Sequence, residues 1–220
     1  DVYKRQIHMS AFLGKIHYWL FNKILWFENL EDEIVNLAKD EGLNIEKLKM
    51  HAEERYGEKL PHKSLEELID HSNIHGWLQN KIHNAEGRMA FYTKTILEND
   101  NLSLTKIENI YKEQGIKAAD EVKNEEQDIK NAQDIFTEVN NYILDGMPCD
   151  RVNEFIELSD EKVTWKRRVC VHKETWEKEE VDVSIFYSLR NLWIEEFVKN
   201  LNNNFRYIFS EDETFSIERI

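Results

Sequence analysis

Apolar positions in the first two-thirds of the chain recur at steps of three and four, the spacing of one face of a helix. With 7 glycines and 2 prolines in 220 residues, the breakers mark where such runs must stop. A first helix is predicted over residues 12–39, ended by Gly42 beyond its C-terminus. Asn44 opens a second, which runs to about Tyr56 before Gly57 and Pro61. Ser64 and Glu67 have the spacing of a capping box, so a third helix is predicted from Leu65 to about Asn99. Ser103 caps a fourth, expected to break or bend near Gly115 and to resume to Leu144 before Gly146 and Pro148.

Beyond Cys149 the period changes. "VNEFIELSDEKVTWKRRVCV" alternates around "SDEK" and predicts a hairpin, with Val163, Trp165, Val169 and Val171 on one face and Thr164, Lys166, Arg168 and Cys170 on the other. "VSIFYSLRNLWIEEFVKNL" returns to helical period, with Phe186, Leu189, Trp193, Phe197 and Leu201 on one stripe. "FRYIFSEDETFSIERI" is a second hairpin. The expected fold is therefore α+β and mainly helical: a bundle over 9–147, then a strand-strand-helix-strand-strand unit over 148–220 packed on it as one globule. Residues 1–8 are set apart, because "DVYKRQ" reads as a translated sequencing adapter and Met9 as the start.

Charge narrows the partners. A formal net charge of -14 makes duplex nucleic acid an unlikely partner, since phosphates would be repelled. The most apolar run, "AFLGKIHYWLFNKILWF", is interrupted by Lys15, His17, Asn22 and Lys23 and falls short of a membrane span. Two cysteines are too few for a disulfide framework and suggest a reducing, cytoplasmic setting.

Two sets of residues carry candidate chemistry. On a continuous third helix, His71 and His75 share the stripe of Leu68, Leu78 and Ile82, with Glu86 three turns beyond His75. His17 faces inward on the first helix. These four could converge on a divalent metal, or the two histidines of the third helix on a haem, in a bundle core; alternatively each imidazole bonds a carbonyl or carboxylate at a helix interface. The second set is "RRVCVHKETW". If the strand continues that far, Arg168, Cys170 and His172 share a face, which would lower the thiol pKa and provide a nucleophile with an adjacent base.

The stretch "ELSDEKVTWKRRVCVHKETW", a helix, and "FRYIFSEDETFSIER" resemble the C-terminal part of the L-2-amino-thiazoline-4-carboxylic acid hydrolase-like proteins and of 4-vinyl reductase-type ligand-binding domains. The resemblance spans about residues 150–220; Cys170, Glu174 and Trp176 match its cysteine-glutamate-tryptophan element, whereas "SIFYSLRNLW" lacks the cysteine and aspartate of the family's next helix. It implies a pocket for a small molecule and, if catalytic, hydrolysis of a carbon–nitrogen bond in a small cyclic compound. Cys170 would be the nucleophile and His172 the base, with Trp176, Arg168 and Trp165 contacting the ligand. The alternatives are a metal- or haem-binding helical sensor and a helical homodimeric scaffold.

Overall fold

The computed structural model describes residues 13–125 and 128–220; the leader 1–8 lies outside them. The order is α1 (Lys15–Asp40), α2 (Ile45–Tyr56), α3 (Leu65–Leu68), α4 (Ile74–Asn99), α5 (Leu104–Asn124), α6 (Ala132–Tyr142), β1 (Asn153–Leu158), β2 (Lys162–Arg167), α7 (Lys173–Lys178), α8 (Val183–Leu201), β3 (Phe205–Phe209) and β4 (Thr214–Arg219). The fold is α+β and mainly helical, a helical region followed by one antiparallel sheet of order β1-β2-β4-β3. No helix among the described residues is long and apolar enough to cross a membrane.

Local chemistry explains most boundaries. Asn44 caps α2 by accepting from the Lys47 amide at 3.0 Å. The third predicted helix is not continuous. Asp70 accepts from the Ser72 amide and hydroxyl, and Asn73 accepts from the Gly76 amide, so the segment "IDHSN" forms a turn and a new N-cap between α3 and α4. Side-chain bonds to the local backbone here outcompete helix continuation. The fourth predicted helix is divided too, but not at Gly115: α5 ends at Asn124 and α6 starts at Ala132. Asn131 and Asp134 form a capping box that starts α6. Gly115 is instead where α5 lies closest to α8: a Cβ there would stand 2.4 Å from the Trp193 carbonyl oxygen.

The sheet is joined by the pairing of β2 with β4, which sets Trp165 opposite Phe215 and Val163 opposite Ile217. The stripe Phe186, Leu189, Trp193, Phe197 and Leu201 of α8 is buried throughout. One continuous apolar cluster runs from Leu30 and Ile34 of α1, through Tyr111 of α5 and Ile135 of α6, to Trp193 of α8 and Ile217 of β4. Helices and sheet thus share one core.

One buried ionic group braces the helices. Arg88 of α4 bonds Glu31 at 3.0 Å, Glu28 at 2.6 Å and the Gly57 carbonyl at 3.0 Å. Burial pushes the Glu31 carboxyl up to about 7 even though Arg88 pulls it down. Both carboxylates and the guanidinium find partners within the group, as buried charges must.

Candidate functional site

The first predicted constellation is dispersed. His71 lies exposed in the turn before α4, with Nε2 3.3 Å from the Glu66 carbonyl. His75 is exposed on the first turn of α4 and meets only His17, at 5.6 Å between ring centroids. Glu86 is buried elsewhere, against His172. The stripe that would have aligned the histidines required an unbroken helix, and the Asp70–Asn73 turn removes it. Among the described residues, no group of three or more His, Cys, Asp or Glu side chains is arranged to hold a metal ion.

The second constellation is separated by the end of a strand. β2 stops at Arg167, and the Arg168 and Val169 amides both turn to the Val152 carbonyl. Arg168 and Cys170 are exposed, and Cys170 Sγ accepts from the Tyr187 hydroxyl at 3.0 Å. Trp165 is packed in the sheet's core face near Tyr207 and Phe215. His172 goes the other way: it is 2% exposed and occupies the N-cap position of α7. Its Nδ1 lies 2.7 Å from Glu86 Oε1 and its Nε2 2.9 Å from Asp145 Oδ1. Burial alone would lower its pKa, but Glu86 and then Asp145 outweigh that and raise it to about 9. An imidazolium with both N–H groups given to carboxylates has no lone pair with which to accept a proton. Both ring nitrogens of His172 are thus engaged by carboxylates in a buried network.

That network joins three distant stretches. Glu86 comes from α4 and also accepts from Trp176 Nε1 at 3.0 Å, one turn of α7 beyond His172. Trp176 is fully buried against Phe186. Asp145 follows α6, where Gly146 turns the chain at φ 73°; there the Met147 amide donates to Asp150 Oδ2 at 2.7 Å and fixes the turn. Arg190 of α8 donates to the same Asp145 oxygen at 2.7 Å. Burial would raise the Asp145 carboxyl, yet Arg190 and His172 together hold it well below the usual carboxylate range. Two anions and two cations close the group at zero net charge.

Lys23 of α1 lies beside this balanced group as a third cation. It is 2% exposed, and its ammonium rests 3.7 Å over the face of Trp19. Among the described residues nothing offers that ammonium a hydrogen bond or an ion pair. A cation–π contact contributes about 0.5–2 kcal/mol, less than the several kcal/mol that burying an ammonium costs. The amine therefore sheds its proton easily: burial lowers its pKa to about 7, with Asp145 opposing and Arg190 reinforcing the shift. An ordinary lysine at pH 7 is neutral in about one copy in three thousand, and burial shifts this amine toward the neutral form.

Lys23 and Asp145 both line a surface groove of about 280 Å³, walled by Trp19, Phe136 and Phe155, with Arg151 at its edge. Two other hollows differ in kind. The internal cavity between Trp26 and Trp193 measures about 30 Å³, room for about one or two waters. The wide cleft of about 750 Å³ beside Trp26 is larger. Several of its polar groups are engaged with one another: Trp19 Nε1 donates to Asn141, which donates to Glu138, and Tyr142 donates to Glu121. The 280 Å³ groove differs in carrying on its wall a lysine, Lys23, whose amine has no hydrogen-bond partner among the described residues.

Sequence reasoning passed over Lys23, Asp145 and Arg190. The signal for Lys23 was present: it interrupts an apolar run, with Leu20 and Phe27 three before and four after on the same face. It was read only as evidence against a membrane span. Comparison of the chain with protein-family models, with curated proteins and with solved structures gives no match.

Proposed function

We propose that this protein binds a small organic molecule in the groove bordered by α1, α6 and β1, with a carboxylate or carbonyl oxygen of the ligand meeting Lys23. The observation that carries the reading is the lysine itself, 2% exposed and unpartnered on the wall of a groove with aromatic sides. The side chain is buried while its Nζ keeps contact with the groove, so a ligand oxygen there gains a charge-assisted hydrogen bond at a poorly hydrated amine. Trp19, Phe136 and Phe155 suit a flat apolar body, as ligand grooves generally combine apolar walls with few polar anchors. Arg151 adds positive charge at the edge and favours an acid over a base.

The resemblance of residues 150–220 to small-molecule-binding domains agrees with this reading in kind. The carbon–nitrogen hydrolysis it implies loses its support at His172, which is held as a cation away from the thiol. The test is a thermal-shift and calorimetric series with benzoate, phenylacetate and naphthoate near pH 7. At least one should raise the melting temperature and bind with proton uptake, because an anion beside Lys23 restores its charge. The effect should disappear in Lys23→Met. Equal responses from variant and wild type, or none from either, would overturn the proposal.

A further inference from the structure

We propose that Lys23 is a covalent anchor: its amine condenses with the carbonyl of an aldehyde or ketone lying in the groove and holds it as an imine. This rests on the groove reading above and adds a bond to it. Three features of the site favour condensation over simple pairing. The Lys23 side chain is buried, its amine opens only to the groove and makes no hydrogen bond to the described residues, so its lone pair is free to attack whenever the proton is absent. The charged groups nearest it are already committed to one another: Asp145 to Arg190 at 2.7 Å and to His172 at 2.9 Å, with Glu86 on the far side of His172. Asp145 therefore shares its charge between two cations and favours the ammonium only in part, while Arg190 disfavours another positive charge nearby. A lysine desolvated beside cationic groups is a recurring arrangement for Schiff-base chemistry.

The step balances without a redox partner. The Lys23 nitrogen lone pair forms a bond to the carbonyl carbon, and the carbon–oxygen π pair moves to oxygen, which takes a proton while nitrogen loses one. The carbinolamine then loses its hydroxyl, protonated by solvent, as water. The nitrogen lone pair becomes the second carbon–nitrogen bond, and the iminium so formed returns its N–H proton to solvent to leave the imine. Amine plus carbonyl gives imine plus one water, and the open groove lets the water leave. The flat walls of Trp19, Phe136 and Phe155 select a carbonyl attached to an aromatic or short apolar body.

The experiment is reductive trapping with benzaldehyde and sodium cyanoborohydride near pH 7, read by peptide mapping. Lys23 should carry the benzyl group at least about tenfold above every other lysine, because its neutral fraction is far larger than theirs; the α-amino group is the internal comparison. Lys23→Arg and Lys23→Met should lose that product. Should either variant fail to fold, benzoate competition in the wild-type protein gives the same reading, since an occupied groove must protect Lys23 and leave surface lysines unchanged. Labelling spread evenly over the lysines, or Lys23 unlabelled, overturns the inference. If benzoate binds and benzaldehyde is not trapped, the imine fails while the groove reading stands; if neither binds, both fall.

Discussion

Glu86 of α4 and His172 at the start of α7 meet at 2.7 Å in the interior, across 86 residues of chain. Together with Lys23 they give the protein two opposed pH responses. His172 has its pKa raised from 6.5 to about 9, so its contribution to stability is complete below about pH 6.5 and is lost as pH climbs through 9. Lys23 has its pKa lowered from 10.5 to about 7, so it penalises folding at and below pH 7 and the penalty fades toward pH 10.5. Lys23→Met should therefore be more stable than wild type at pH 7, and that advantage should shrink as pH rises to 10 in urea titrations. Within the variant, where the lysine no longer compensates, stability should fall between about pH 7 and 9. A constant difference between the two proteins over this range contradicts the account.

Among the described residues, Asp145 is the only carboxylate shared by His172 and Arg190, and the two cations stand 3.3 Å apart beside it. Asp145→Asn leaves both without that charge. Breaking a buried ion pair from one side costs about 3–5 kcal/mol, so the urea midpoint should drop accordingly. A loss below 1 kcal/mol, the range of exposed pairs, would mean that water reaches the network freely.

Gly115 faces the Trp193 carbonyl where α5 crosses α8. A methyl group needs the two helices to part, and overpacking of this kind costs about 1–3 kcal/mol. Gly115→Ala should lose stability by that amount even though alanine is the better helix former in isolation. A stabilised variant would show that the helices are not in close contact.

Cys170 and Cys149 are both exposed. Both should label with iodoacetamide in the native protein, and Cys170→Ala should leave ligand binding and Lys23 trapping unchanged. Loss of either function in that variant would return the thiol to the centre of the mechanism.

Fold class was legible because it rests on period alone: the stripe of α8 stands as read, and the hairpin around "SDEK" forms, although β2 ends at Arg167 and does not reach Val169 and Val171. The break at "IDHSN" was harder, since Asp70, Ser72 and Asn73 fit an exposed helix face as readily as a turn; only their side-chain bonds distinguish the two. Gly115 signalled a break but serves as a contact, because a glycine in a helix leaves the same trace in sequence for either purpose. The site was the least legible part. Lys23, Glu86, Asp145, His172 and Arg190 come from five separate stretches, and nothing in local spacing shows that they converge. His172 was picked for its neighbour in sequence, Cys170, while its partners in space were 27 and 86 residues away.

The central claim is that the Lys23 amine is neutral in a large fraction of molecules at neutral pH. Lysine labelled with ¹³C at Cε reports this directly by NMR titration, with Lys23→Met assigning the resonance. A midpoint near 7 is expected for Lys23 while the exposed lysines titrate near 10.5. A Lys23 resonance that titrates with the exposed ones would place a fully charged ammonium on the wall of the groove and contradict the account.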